Sequence, residues 1–213
     1  MFRRFTLWMV GVIALMMALG GAAKAAEDVI GDVKLSDSEE VAVLHTEKGD
    51  IVLQFYPDVA PKHVENFKKL MKEKFYDGIK FHRTMPGFMI QGGCPFTKQE
   101  GQETRWGTGD PGYKIKAEFN DKLHVRGTLS MARGPDPDSA GSQFFLCHAA
   151  APFLNKKYTV FGQTVFGYNV IDKIVTAPTV QDGRENSRPK TPVAIKKAEI
   201  ITWGDYKKSL PGK

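Results

Sequence analysis

The clearest pattern in the chain begins at Val41, where apolar and polar side chains alternate over two short segments. Residues 41–45 and 51–55 each alternate, and Lys48-Gly49-Asp50 between them has turn character. An alternation of period two places every second side chain on the same face of a strand. The two segments are therefore predicted to form an antiparallel β-hairpin.

A helical pattern follows the hairpin. Asp58 is placed to cap the N-terminus of this helix, Pro61 suits its first turn, and Asp77-Gly78 ends the segment. The apolar face of the helix consists of Val64, Phe67, Leu70 and Met71. A second, shorter helix is predicted over Asn169–Val175, where the apolar residues again fall on one side.

The rest of the chain from residue 79 is dominated by short β-branched or aromatic runs separated by glycines. These runs are Ile79–Arg83, Thr128–Ala132, Gln143–Cys147, Tyr158–Phe161 and Val193–Ile201. Many short strands with only two helices favour a mainly β fold. An antiparallel barrel is the expected form, because closure removes exposed strand edges.

The N-terminus has the pattern of a secretory leader. Met1 to Arg4 supply a basic start, residues 5–23 carry no charge, and Ala23-Lys24-Ala25 resembles a cleavage signal. We predict a signal peptide over residues 1–25, a linker over 26–40, and a periplasmic or secreted protein after cleavage at Ala25. The alternative is a membrane-anchored protein that keeps this segment, because about 18–20 apolar residues can span a bilayer.

Composition and charge narrow the function classes. The 213 residues are 42% hydrophobic, which is enough for one well-buried core. The formal net charge is +6, and removing Arg3, Arg4 and Lys24 of the leader leaves +3. This small, dispersed excess predicts no nucleic-acid partner. Two cysteines, Cys94 and Cys147, are too few for a disulfide framework, and buried free thiols are favoured.

A serine hydrolase is a rival enzyme class that the sequence disfavours. Ser130, Ser139 and Ser142 lie near His124 and His148 in the sequence. However, the chain contains no G-x-S-x-G motif, so no nucleophile elbow is predicted.

Metal sites are also disfavoured, and no metal ligand is assigned. Cys94, Cys147 and His148 match no zinc-ligand spacing. Asp136 and Asp138 mimic the start of a calcium loop, but its twelfth position is Cys147 rather than glutamate.

Three segments together carry a family resemblance. Phe81-His82-Arg83-Thr84-Met85-Pro86-Gly87-Phe88-Met89-Ile90-Gln91-Gly92-Gly93 resembles the central signature of the cyclophilins, the peptidyl-prolyl cis-trans isomerases. Leu129–Arg133 and Ser139–Phe145 resemble the next two blocks of that family, in the same order. The resemblance covers residues 41–202 and implies a closed eight-stranded antiparallel β-barrel capped by two α-helices. We place the isomerase domain at 41–205 and a C-terminal tail at 206–213.

The resemblance also implies the site residues. Arg83 is the expected catalytic residue, because a fixed cationic donor can hydrogen-bond the prolyl nitrogen in the twisted transition state. The expected substrate-binding residues are Phe88, Met89, Gln91, Ala132, Arg133, Gln143, Phe145, Phe153, Leu154 and Tyr158. Within this set, the resemblance implies an apolar cup for proline formed by Phe88, Met89, Phe145 and Leu154. It also implies hydrogen bonds to the peptide from Gln91, Gln143 and the backbone of Arg133. Independently, the alternation in 143–146 puts Phe145 and Gln143 opposite Phe144 and Leu146.

Departures from the eukaryotic pattern refine these expectations. Phe153 stands where many members have tryptophan, Tyr158 where they have histidine, and Arg133 where asparagine is frequent. Phenylalanine and tyrosine at the first two positions are similar to what bacterial secreted members of the family have. Because phenylalanine lacks the indole N–H donor, only weak cyclosporin binding is expected.

The expected partners are unfolded or folding polypeptides that contain X-Pro bonds. No cofactor is expected, because rotation about a peptide bond makes or breaks no covalent bond, and the chain is expected to be a monomer. The competing interpretation is a proline-binding chaperone module with weak turnover on the same fold. The presence of both Arg83 and Gln91 favours the enzyme.

Overall fold

The structure is a computed structural model, and it describes residues 34–182 and 185–210. The predicted leader, its cleavage at Ala25 and most of the predicted linker lie outside the described residues. Within the described part of the chain, no helix is long and apolar enough to cross a bilayer.

Ten strands are found in the described residues, eight of them in one antiparallel sheet. In chain order they are β1 (Glu40–Thr46), β2 (Gly49–Phe55), β3 (Arg83–Met85), β4 (Met89–Gly92), β5 (Thr128–Met131), β6 (Phe144–Cys147), β7 (Val160–Phe166), β8 (Thr179–Asp182), β9 (Glu185–Pro189) and β10 (Ile195–Thr202). The sheet order is β10-β1-β2-β7-β5-β6-β4-β3, and β8 and β9 form a separate hairpin. The first hairpin is thus confirmed, as β1 paired with β2.

The sheet is an open half-barrel, so the prediction of a closed barrel is wrong. Strands β3 and β10 are its two edges and do not pair with each other. The predicted strand Ile79–Arg83 becomes regular only at Arg83, and residue 80 makes an isolated bridge to Ala194. Single backbone bonds, such as Phe81 N to Val193 O at 3.0 Å, tie the two edges together without a continuous ladder. These bonds satisfy some of the backbone groups at the two edges, which a closed barrel would pair completely.

Three α-helices lie in the described residues: α1 (Pro61–Lys72), α2 (Tyr168–Val175) and α3 (Trp203–Ser209). The first two confirm the predicted helices, and the apolar face of α1 is buried as expected. The third was not predicted. It crosses residue 205, the predicted end of the domain, and its Tyr206 ring stacks on Trp203 with both side chains buried. The folded part of the chain therefore reaches Ser209.

The predicted helix cap at Asp58 is wrong. Helix α1 is preceded by Ala60, which provides no side-chain cap. Instead, the Glu118 carboxylate accepts the backbone N–H groups of Lys62 at 3.1 Å and His63 at 3.0 Å. A carboxylate at this position satisfies free N–H groups and complements the helix dipole. The cap is a long-range contact that local sequence does not reveal.

The main core lies between the concave face of the sheet and helices α1 and α2. At its centre, Phe67 of α1 lies 5.3 Å from Phe144 and 5.4 Å from Phe161 between ring centroids. Leu146 joins the same core, whereas Phe145 belongs to a separate cluster. The predicted alternation in this segment is therefore confirmed, and it turns Phe145 toward the outer face of the sheet.

Candidate active site

Strand register brings the predicted site residues together on the outer face of the sheet. Gln91 of β4 pairs with Phe145 of β6 on one side and with Arg83 of β3 on the other. Met89 lies two residues before Gln91 and shares its face. One transverse row of the sheet thus carries the cation, the amide and the aromatic ring.

An apolar cup lies beside this row. It has a volume of about 130 Å³ and is lined by Arg83, Phe88, Met89, Gln91, Ala132, Arg133, Phe145, Leu154 and Tyr158. Nine of the eleven predicted site residues therefore surround one cavity. Met89, Phe145 and Leu154 are buried, so the walls are held by packing. The cavity suits a small apolar ring.

The floor of the cup is fixed by aromatic contacts. The Phe145 ring stacks on His124 at 5.9 Å and meets Tyr158 edge-on at 5.9 Å. His124 is in turn held by Asn155 and Ser130, at 3.1 and 3.0 Å from its two ring nitrogens. Because Ser130 is fully buried and also donates to Thr159 O, it cannot reach a substrate as a nucleophile. The serine and histidine here support the cup.

Phe153 lies at the rim and outside the cavity lining. Its ring is 5.4 Å from that of Phe88 and is 60% exposed. An exposed aromatic side chain next to an apolar cup extends the apolar surface available to a peptide.

Arg83 sits at the edge of the cup with most of its donors engaged. Nε donates to Glu185 Oε2 at 2.7 Å and Nη2 donates to Glu185 Oε1 at 2.8 Å, a two-point ion pair. Nη1 points to Gln91 Oε1 at the longer distance of 3.4 Å. The hydrogen bond from Arg83 holds the pKa of Glu185 below its usual value, so the carboxylate is charged at neutral pH.

Glu185 was missed by the sequence analysis. It follows a stretch of small and polar residues with no periodic pattern, and no motif connects it to Arg83, which lies 102 residues earlier. Only the β8–β9 hairpin brings the two together.

Gln143 joins the cup to a second cavity. Its Oε1 accepts a hydrogen bond from Gln91 Nε2 at 3.0 Å, and its Nε2 donates to the carbonyls of Gly107 and Gly109 at 2.9 and 2.8 Å. The second cavity, of about 290 Å³, lies between the 107–110 loop and residues 132–134. A chain seated in the cup can therefore continue along a groove rather than end at a wall.

Arg133 borders both cavities, and its side chain is held by contacts within the protein. Its guanidinium donates to Lys157 O at 2.9 Å and to Gly134 O at 2.9 Å, and it lies 4.6 Å from the Tyr158 ring centroid. These contacts hold the side chain against the protein. The arrangement agrees with the expectation that the backbone of Arg133 contacts the peptide, which stays a prediction.

Cys94 and Cys147 are both free and buried, as the sequence favoured. Burial raises the pKa of Cys147 to about 12, so this thiol is protonated and unreactive at neutral pH. Within residues 34–182 and 185–210, no cluster of His, Cys, Asp and Glu could hold a metal ion.

Comparison with known proteins agrees with this geometry. Residues 41–200 match the profile of the family described as cyclophilin type peptidyl-prolyl cis-trans isomerase/CLD. A peptidyl-prolyl cis-trans isomerase of Synechococcus elongatus is 53% identical over 123 residues, covering 58% of this chain and 79% of that protein. A probable peptidyl-prolyl cis-trans isomerase of Brucella abortus is 41% identical over 189 residues, covering 86% of this chain and 94% of that protein.

Solved structures show the same fold. A cyclophilin type isomerase of Cryptosporidium parvum, crystallised in the presence of the dipeptide Ala-Pro, matches with a TM-score of 0.67 and 28% identity over 76% of this chain and 99% of that one. The cyclophilin AquaCyp293 of Hirschia baltica matches with a TM-score of 0.62 and 22% identity, over 84% of this chain and 79% of that one, which supports the fold alone. The chain therefore belongs to the cyclophilin family and is an enzyme of the peptidyl-prolyl cis-trans isomerase class.

Proposed function

We propose that this isomerase acts on X-Pro bonds of exported polypeptides, holding proline in the apolar cup and hydrogen-bonding the prolyl nitrogen through Arg83. The observation that carries the proposal is the position of the Arg83 guanidinium at the edge of a cavity walled by Phe88, Met89, Phe145 and Leu154. The Cryptosporidium isomerase was crystallised in the presence of Ala-Pro, which supports a proline-containing ligand for this chain.

The chemistry needs selective stabilisation of a twisted amide. Resonance sets a barrier of about 18–20 kcal/mol, and the uncatalysed exchange takes tens to hundreds of seconds. Turnover at about 10³ per second requires the barrier to fall by roughly 7 kcal/mol. The prolyl nitrogen gains a free lone pair only when the amide is twisted, so a donor aimed at it stabilises that state and not the planar one.

Arg83 supplies part of this free energy. A hydrogen bond to a charged group contributes about 1.5–3 kcal/mol net. The rest is assigned to the cup, which holds the ring while the chain on the other side of the bond rotates, and to contacts with Gln91 and Gln143. Nη1 of Arg83 is the donor that faces Gln91 at the cavity edge, and we assign it to the prolyl nitrogen.

The test is an NMR exchange assay on a Phe-Pro peptide with the full chain. We expect strong acceleration by the wild type and a large loss in Arg83→Ala. Arg83→Lys keeps the charge but loses the planar fork, so it should recover only a minor part of the rate. Thermal unfolding of each variant separates lost chemistry from lost folding.

The outcomes also separate the enzyme from a chaperone module. A folded wild type that binds the peptide without accelerating exchange would contradict the proposed catalytic role and leave proline binding as the function. Retained activity in folded Arg83→Ala would contradict the assigned role of Arg83 while leaving the isomerase in place.

Export is a separate part of the proposal, and it is supported by the basic start, the uncharged segment and the Ala23-Lys24-Ala25 signal. The full chain, expressed in a bacterium, should be recovered from the periplasm or medium with Ala26 as its first residue. Mass spectrometry of the recovered protein identifies its first residue. A product that starts before Ala26 and fractionates with membranes would support the anchored form instead.

A further inference from the structure

The β8–β9 hairpin is packed against the edge strand that carries Arg83. Ser187 of β9 is buried, and Arg188 lies 6.0 Å from the ring centroid of Trp106. Strand β9 contacts β3 directly. This packing places Glu185, the first residue of β9, beside the Arg83 guanidinium. The contact between β9 and β3 and the two bonds to Arg83 together fix the position of the carboxylate.

The pairing occupies one particular edge of the guanidinium. Glu185 takes the edge formed by Nε and Nη2, with both bonds between 2.7 and 2.8 Å. Two parallel bonds to a planar group fix its orientation as well as its position. Nη1 is at the opposite end of the fork and faces Gln91 and Met89. Glu185 therefore does not engage Nη1, the donor that faces two residues of the cup lining.

The other contacts of Arg83 are too weak to fix it. Strand β3 has only three residues, and the Arg83 side chain is 30% exposed. Nη1 reaches Gln91 Oε1 at 3.4 Å, and the remaining polar contacts are to the sulfur atoms of Met85 and Met89. A thioether is a weak acceptor, and the Phe88 ring lies 5.9 Å from the guanidinium carbon. The long side chain would sample several rotamers without Glu185.

From this geometry we infer that Glu185 is a positioning residue for catalysis, which acts by holding Arg83 with Nη1 directed at the prolyl nitrogen. The inference rests on the proposed role of Arg83. Glu185 itself lies outside the lining of the cup, so it does not occupy the place of the proline ring. Glu185 contributes by orienting Arg83. The entropy cost of ordering this side chain is therefore met before the substrate binds and not in the transition state.

The test compares kcat and KM for Glu185→Ala and Glu185→Gln by NMR exchange on the Phe-Pro peptide. We expect kcat/KM to fall about tenfold in Glu185→Ala, mostly through kcat, because the misplaced donor matters only in the twisted state. Glu185→Gln keeps one acceptor oxygen and should fall between this variant and the wild type. The Glu185 side chain is 43% exposed, so neither change should unfold the protein.

A matched control and a double variant exclude a merely structural effect. Glu40 forms a 2.7 Å ion pair with Lys68 away from the cup, and Glu40→Gln removes the same kind of charge. It should leave kcat/KM unchanged. In an Arg83→Ala background, Glu185→Ala should cause no further loss, because it acts only through Arg83.

A spectroscopic readout reports on the pairing without using activity. The Nε–H of Arg83 donates to Glu185 in the wild type, so its ¹⁵N-correlated signal should exchange slowly with water there and should broaden in Glu185→Ala. Unchanged or faster catalysis in Glu185→Ala, or an equal loss in the Arg83→Ala background, would overturn the inference. Retained activity in Arg83→Ala alone would instead show that the proposed role of Arg83 fails.

Discussion

Gln91 and Gln143 are joined by a 3.0 Å hydrogen bond from Nε2 of the first to Oε1 of the second. Gln91 is also the partner of Arg83 in the β3–β4 ladder, and Gln143 holds the carbonyls of Gly107 and Gly109. A single chain of polar contacts therefore connects the Arg83 guanidinium to the loop that forms the second cavity. From this arrangement we expect the second cavity to bind the part of the peptide that extends beyond the cup.

Gln143→Leu should weaken binding of longer peptides more than it slows the chemical step. The change removes three hydrogen bonds and leaves the Gly107–Gly109 carbonyls without their donor, which should cost about 1–3 kcal/mol of stability. We expect KM to rise several-fold for a peptide that extends before proline, and to change little for an X-Pro dipeptide. The two KM values and a thermal melt provide the measurement.

Gln163→Leu is a suitable control for that variant. Gln163 lies in β7 and donates to Arg126 O at 2.8 Å, outside both cavities. The Gln163→Leu variant should be less stable than the wild type but should have the same KM for both peptides. An equal rise of KM in the two variants would show that the effect of Gln143 is general loosening.

Phe145 and Phe144 allow a comparison of the two faces of one strand. Phe145 lines the cup, whereas Phe144 lies in the main core. Phe145→Leu should lower kcat/KM about tenfold, because the floor of the cup changes shape. Phe144→Leu should cost about 1 kcal/mol of stability through imperfect repacking, with little change in catalysis. Exchange NMR and chemical denaturation on both variants check this; a reversed pattern would contradict the assignment of the faces.

The same pair of residues shows how much local sequence could predict. Alternation over 143–146 was sufficient to turn Phe145 away from Phe144, because side chains in a regular strand obey a period of two. The apolar face of α1 could equally be predicted from the sequence, since all its residues lie within three turns of the helix. Features that depend on a short periodic pattern were predicted correctly.

Features that depend on contacts between residues far apart in the sequence were not predicted. Helix α1 starts at Pro61 because Glu118, more than 50 residues later in the chain, satisfies its first N–H groups. Helix α3 is stabilised by Trp203 and Tyr206 packing with β1. Glu185 meets Arg83 only through the β8–β9 hairpin. In each case the deciding partner is remote in sequence, so no local pattern records it.

His82 should make the stability of the protein depend on pH in mildly acidic solution. Burial lowers the pKa of His82 from 6.5 to about 4, and the nearby charge of Arg83 acts in the same direction. Above pH 6.5 the ring is neutral in both the folded and the unfolded chain. Between pH 6.5 and 4 only the unfolded chain binds the proton, so the free energy of unfolding falls as the pH falls, by up to about 3 kcal/mol.

His82→Leu should remove this contribution. Urea unfolding at several values between pH 7 and 4 gives the free energy of unfolding for both proteins. The difference between them should shift in favour of the variant as the pH falls. Parallel curves over this range would mean that His82 is protonated in the folded protein, contrary to the effect of its burial.

Phe153→Trp should strengthen binding of cyclosporin. Members of the family with tryptophan at this position present an indole N–H at the rim, and the resemblance of this site implies that its loss weakens the complex. Phe153 is 60% exposed and contacts Phe88 across the rim, so the larger ring fits without repacking the core. One recovered hydrogen bond is worth about 0.5–1.5 kcal/mol, which corresponds to an affinity gain of up to about tenfold. Titration calorimetry on wild type and variant measures the gain. Leu123→Trp adds an indole at another exposed position, and an equal gain there would show that the effect is non-specific apolar binding and not the restored donor.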